Sequence, residues 1–237
     1  MKELGFTRSA HLRDHLLQTP DTFVRAPLPG MTNATAIVHI GPSGGAAFTQ
    51  YTAEFAAGGS LGPAKTQRFV YVLEGEISAG VVPLRTGGFA YFSGDALVIA
   101  RTEARAAVIE KGYVPLAGQA APAGFTGHED NVQPEALLGD SDVLVRSLIP
   151  SGAEFDLAVN VMEFQPGASL PMVEQHVMEH GLLMLQGGGI YRLGDQWYPV
   201  TAGDFIWMGP FCPQWFAAVG RQPARYLIYK DWNRHPL

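Results

Sequence analysis

The chain has 237 residues and 47% hydrophobic content, enough to bury a large core as one β domain or two smaller ones. A formal net charge of -6 and a charged fraction of 16% leave no basic stripe, which argues against nucleic acid and acidic membranes as partners and favours small molecules. The single cysteine, Cys212, can close no internal disulfide and reads as a small buried apolar side chain, while 28 glycines and 17 prolines indicate many turns between short strands.

The N-terminal stretch "MKELGFTRSAHLRDHLLQTP" is broken up by charge and has no apolar signal-peptide core, so it predicts a short helix or an arm. No apolar run approaches the ~20 residues that span a bilayer, and the expectation is a soluble, cytoplasmic protein. From about residue 35 onward helical periodicity is absent. Segments such as "RFVYVLEGEI", "FAYFSGDALVIA", "GIYRL", "DFIWM" and "ARYLIYK" are rich in aromatic and β-branched residues and end in Gly or Pro turns, as strands do.

These strands fall into two copies. "AEFAAGGSL" (53–61) matches "MEFQPGASL" (162–170), "VLEGEI" matches "MLQGGGI" with Gly75 opposite Gly187, and "LRTGGFAYFSGDA" matches "VTAGDFIWMGPFC" with Gly87 opposite Gly203. The spacing between partners widens along the chain, placing extra residues of the second copy before Gly187 and in the next hairpin. The intervening 115–143 stretch is rich in Pro, Gly, Ala and acid, which reads as a linker plus the start of the second domain. The predicted fold is all-β, two jelly-roll β-barrel domains covering residues 1–120 and 121–237.

The inserted stretch, "PMVEQHVMEHGLLMLQGGG" (171–189), concentrates acids and histidines. On a helix His176 and His180 share a face but Glu174 does not, and Pro171 and Gly181 leave little length for one. On a strand Glu174, His176, Met178 and His180 project from one face, and three of those four are metal ligands. A solvated polar strand face accounts for the same residues. Glu179 has the opposite parity and reads as solvent-facing or as supporting the ligands.

The row and its surroundings resemble the cupin family, in which a first motif of two histidines and a glutamate between glycines is followed by a glycine- and proline-bearing second motif with a further histidine. Here Gly167, Glu174, His176, His180 and Gly187 stand in the first motif, with the acid and a histidine exchanged. Gln214, in "GDFIWMGPFCPQW", stands where the second motif has histidine. This permuted set and the tail "RYLIYKDWNRHPL" resemble the ureidoglycine aminohydrolase family of allantoin and purine degradation. The resemblance implies a bicupin with Mn2+ in its C-terminal domain, releasing ammonia from (S)-ureidoglycine to give (S)-ureidoglycolate. It also implies that Glu174, His176, His180 and Gln214 hold the metal, and that Lys230 pairs with the substrate carboxylate. In the first copy Gly62, Ala64, Arg68 and Val98 stand opposite Glu174, His176, His180 and Gln214, so that domain is expected to bind no metal. Lys65, Gln67 and Arg68 read there as surface polarity.

The oxygen and nitrogen donors without thiolate suit Mn2+ or Fe2+ and also admit Zn2+, Ni2+ or Co2+. With one anionic ligand the site keeps positive charge and favours an anionic substrate group or bound hydroxide; the resemblance implies that the substrate is a small anionic ureido compound. Glu174 is the candidate to move protons as well as to bind, because the amine must leave protonated and water must be activated. Strand parity places Tyr226, Ile228 and Lys230 on one face; with the resemblance, Tyr226 and Lys230, with Glu174 and Gln214 and, less strongly, Tyr191, become the candidate substrate contacts. Trp207, Phe211, Trp215 and Phe216 read as packing, and His11, His15, His39, His128 and His235 show no ligand spacing. Another metallocupin reaction, by an oxygenase or sugar-acid isomerase, and a noncatalytic binding role are the competing readings. A homo-oligomer is expected.

Overall fold

The computed structural model describes residues 6–234; His235 lies outside them. The chain divides into two compact units. One comprises Met1–Phe23, Pro134–Ser147 and Leu157–Leu237, the other Val24–Gln133 with Leu148–Asp156. Among the described residues both units are built from antiparallel strands, with three short 3-10 turns and no helix long and apolar enough to cross a membrane.

In the C-terminal unit an eight-stranded sheet runs Ala10–His11, His15–Gln18, Phe205–Met208, His180–Gln186, Ala224–Asp231, Leu157–Phe164, Asp140–Ser147, Glu135–Leu137. A three-stranded sheet, Gln196–Thr201, Gly188–Leu193, Gln214–Ala218, supplies the other wall. The inward faces of both sheets merge in one core that includes Leu17, Phe164, Leu182, Leu193, Phe216 and Tyr226. The β-branched and aromatic content of these segments suits a pleated surface packed on one side, and burial of such side chains is what holds the sheets together.

The N-terminal residues form an arm of two short strands, not a helix. His15–Gln18 extends the sheet by pairing with Phe205–Met208, Leu17 opposite Ile206, and Leu17 is fully buried. Upstream, Arg8 donates through Nη1 and Nη2 to both carboxylate oxygens of the buried Asp204, at 2.7 and 2.9 Å. The N-terminus therefore groups with the C-terminal half, against the simple division at residue 120. The stretch read as a linker is partly strand: Phe125–His128 pairs with Gly88–Phe92 in the N-terminal unit.

The N-terminal unit repeats the same centre. Ala104–Lys111 lies between Gln67–Glu74 and Thr49–Leu61, as Ala224–Asp231 lies between His180–Gln186 and Leu157–Phe164. The glycines paired in sequence share their conformation: φ is +77° at Gly75 and +66° at Gly187, +83° at Gly87 and +91° at Gly203. A Cβ at Gly75 or Gly187 would meet main chain, of Glu103 and Ala104 in one copy and of Pro223 and Ala224 in the other. Glycine recurs at that point because the left-handed backbone and the crossing strand both exclude a side chain.

One sequence expectation fails here. Residues 171–179 form a loop with bends and a single bridge, and the strand begins only at His180. The alternation of polar side chains is thus not carried by a pleat, and half-buried Met178 does not share the face of its neighbours in the cavity.

Candidate metal and substrate pocket

The loop is held in place by main chain. Glu174 and Gln214 exchange both hydrogen bonds, Glu174 N to Gln214 O at 2.8 Å and Gln214 N to Glu174 O at 2.9 Å. Phe211 N donates to His176 O at 2.7 Å. His180 begins its strand opposite Lys230 on one side and Met208 on the other. These anchors bring Glu174, His176, His180, Gln214, Tyr226 and Lys230, together with Tyr191, around a cavity of about 190 Å³. Every residue expected to bind metal or substrate thus lines one pocket, through a bridged loop in place of the expected strand.

Within it, His176 Nε2 lies 3.2 Å from Glu174 Oε2, and the rings of His176 and His180 meet edge to face with centroids 5.3 Å apart. His180 is fully enclosed. Burial, then Lys230 and His176, hold its pKa well below the ordinary value, the Glu179 main chain offsetting this in part. Its Nδ1 is buried without a hydrogen-bond partner. A neutral imidazole with an unsatisfied nitrogen is a costly arrangement unless something else takes up that nitrogen. Tyr191 Oη stands 3.5 Å from Gln214 Oε1, at the limit for a hydrogen bond. Burial raises the phenols of Tyr191 and Tyr226 well above their ordinary range, so both remain protonated donors. Burial lowers the pKa of Lys230 and Glu174 opposes that shift. The far wall includes Leu137 and Leu138, from a hairpin in the stretch read as linker and start of the second domain.

The equivalent strand positions of the N-terminal unit carry a different device. Arg68 faces Glu110 across the sheet as His180 faces Lys230. Its Nε donates to Glu110 Oε1 at 2.8 Å and its Nη1 to the carbonyls of Gly62 and Ala96. Tyr51 Oη donates to the same carboxylate oxygen at 2.9 Å. Arg68 and Gln67 are buried, contrary to the surface reading, while Lys65 is exposed. Gln67 Nε2 donates to the wholly buried Asp156 Oδ1 at 2.6 Å and Gln67 Oε1 accepts from Tyr91.

Other readings are corrected too. Glu179 is buried and accepts from Trp207 Nε1 at 3.1 Å, so it does not face solvent, and Phe211, expected in the packing, is exposed with φ at +62°. Trp207 and Phe216 are buried as expected. Among the described residues, the His, Cys, Asp or Glu trio with ligand atoms all within 4.8 Å of one another is Asp14, His15 and Cys212, which the sequence did not connect. Two of its members lie almost 200 residues before the third, so no local spacing announces it. Burial pushes the Cys212 thiol up to about 11, Asp14 adding to the effect, so without a cation beside it the thiol stays protonated at neutral pH.

A family model described as "Cupin domain" matches residues 160–229. The chain is 40% identical to the (S)-ureidoglycine aminohydrolase of Arabidopsis thaliana over 98% of its own length and 80% of the relative's. To the enzyme of the same name from Escherichia coli it is 33% identical, over 92% and 88%. The chain belongs to the (S)-ureidoglycine aminohydrolase family of cupins. The crystal structure of protein Ylba from E. coli superposes with a TM-score of 0.86 at 28% identity, covering 98% of this chain and 96% of that one. The fold is a cupin, as the paired glycines and the row around Glu174 led us to expect.

Proposed function

We propose that the chain is an (S)-ureidoglycine aminohydrolase of allantoin degradation, working in the pocket bounded by Glu174, His180, Gln214 and Lys230. Its 40% identity to a relative of that activity over almost the whole chain carries the reading. The overall change is the loss of the substrate's amine as ammonia and its replacement by a hydroxyl from water, giving (S)-ureidoglycolate.

The chemistry of the side chains supports a divalent ion at Glu174, His176, His180 and Gln214, a set of hard and intermediate donors without sulfur that suits Mn2+. The unsatisfied Nδ1 of His180 marks a buried imidazole still short of a partner. Once bound, such an ion acts as a Lewis acid and makes water a better nucleophile. Lys230, half-buried at the pocket wall, pairs with the substrate carboxylate and so fixes which face of the carbon is attacked. Tyr226 and Tyr191 keep their phenolic protons and donate to the ureido oxygen. Glu174 accepts a proton from water at a carboxylate oxygen and delivers it to the departing nitrogen, so that the C–N bond breaks as the C–O bond forms and ammonia leaves neutral. Ammonia release from freshly generated ureidoglycine, followed with chiral analysis of the product, tests the activity. Release no faster than the spontaneous reaction from metal-loaded protein overturns it. Chelation that abolishes turnover, with recovery on Mn2+, checks the metal.

A further inference from the structure

A second group of ligand atoms sits elsewhere in the C-terminal unit, where the N-terminal arm joins the barrel. His15 pairs with Met208 in register, and Gly209 N donates to Asp14 O at 2.8 Å, so Asp14, His15 and Cys212 are brought together by main chain. A carboxylate oxygen, a ring nitrogen and Sγ from the three all lie within 4.8 Å of one another. His15 and Cys212 are buried, at 1% and 3% exposure, while the Asp14 side chain is 45% exposed and leaves one side open to water. His15 Nδ1 lies 2.9 Å from Asp14 Oδ1, and its Nε2 lies 2.8 Å from Tyr198 Oη.

We infer that Asp14, His15 and Cys212 form a second divalent-metal site, of the zinc class, which fastens the N-terminal arm to the segment carrying Gln214. Neighbouring ligand atoms of a tetrahedral zinc site stand about 3.3–3.7 Å apart, given its usual bond lengths, and the cluster lies within reach of that closure. The ion takes the place of the proton between His15 Nδ1 and Asp14 Oδ1, and that proton moves to His15 Nε2. His15 then keeps its one proton on Nε2 and donates it to Tyr198 Oη, the orienting bond that metal-binding histidines characteristically make. Cys212 gives its thiol proton to solvent on binding, so one proton is released per ion. A thiolate and a carboxylate neutralise a dication by formal counting, as a largely buried site requires. Water on the open side of Asp14 completes four-coordination.

Sulfur separates this site from the catalytic pocket. Thiolate favours Zn2+ and its probe Co2+, whereas the oxygen and nitrogen donors around His180 suit Mn2+. The segment 209–214 bonds to Asp14 through Gly209 and to the 171–179 loop through Phe211 and Gln214, so an ion here steadies that segment.

The test uses full-length protein cleared of metal by chelation and loaded with Co2+. A near-ultraviolet thiolate-to-cobalt charge-transfer band is expected in the unaltered protein and in His176→Ala, and it should vanish in Cys212→Ser. X-ray absorption at the zinc edge of zinc-loaded unaltered protein should show one sulfur neighbour, a readout that needs no variant to fold and no catalytic activity. A band absent from the unaltered protein, a band that survives Cys212→Ser, or zinc with only oxygen and nitrogen neighbours would each overturn the inference.

Discussion

Lys230 is a half-buried charge at the wall of the pocket. Desolvation of its ammonium lowers its pKa, and Glu174, which lines the same cavity, opposes that shift as an anionic substrate group would. Lys230→Met removes the charge and keeps the bulk. We expect kcat/KM for ureidoglycine to drop by about 100-fold or more, in line with losing one fixed electrostatic partner of a reacting group. Bound metal and thermal melting should be unchanged or slightly raised; a variant that melts much earlier would make Lys230 structural. Residue chemistry of this kind was legible beforehand, since Tyr226, Ile228 and Lys230 alternate on a genuine strand and the pleat carries the argument. For Glu179 parity left solvent and a supporting role open, and Trp207, 28 residues away, removes the first by burying it.

Among the elements, the paired turns were the clearest signal and the ligand loop the weakest. Gly75 and Gly187 repeat because each turn needs a positive φ and a bare α-carbon against a neighbouring strand, requirements written directly into residue type. The loop 171–179 has no such signature. Its shape comes from the bridge to Gln214 and the Phe211 bond, both beyond the reach of local pattern. Gly187→Ala is expected to destabilise the C-terminal unit by about 1–3 kcal/mol, from a left-handed backbone combined with contact on Pro223 main chain. Urea unfolding measures this. An unchanged midpoint would mean that the turn relaxes freely, and that the repeated glycine reflects something other than steric need.

For the whole molecule, the repeat revealed two barrels, but the grouping of chain segments could not be read locally. Residues up to Phe23 belong with the C-terminal half, because Leu17 completes its core and Asp204 awaits Arg8, both long-range facts. Acid acts on the molecule through buried histidines. In the N-terminal unit His39 is buried, hydrogen-bonded through Nε2 to Thr52 Oγ1 at 2.8 Å, and held down to a pKa of about 3 by burial and by nearby Arg105. Its unfolded value is about 6.5, so between these two values the unfolded chain binds a proton that the folded unit does not. Stability from a neutral His39 is therefore complete above pH 6.5 and is lost as pH falls toward 3, with a slope of about 1.4 kcal/mol per pH unit. His39→Gln, which can still bond to Thr52, removes this titration. Over that window its unfolding free energy should fall less steeply than that of the unaltered protein by the equivalent of one proton, with carboxylate effects common to both. Equal slopes in urea titrations across the window would show that His39 already becomes protonated inside the fold, with solvent entering beside Thr52.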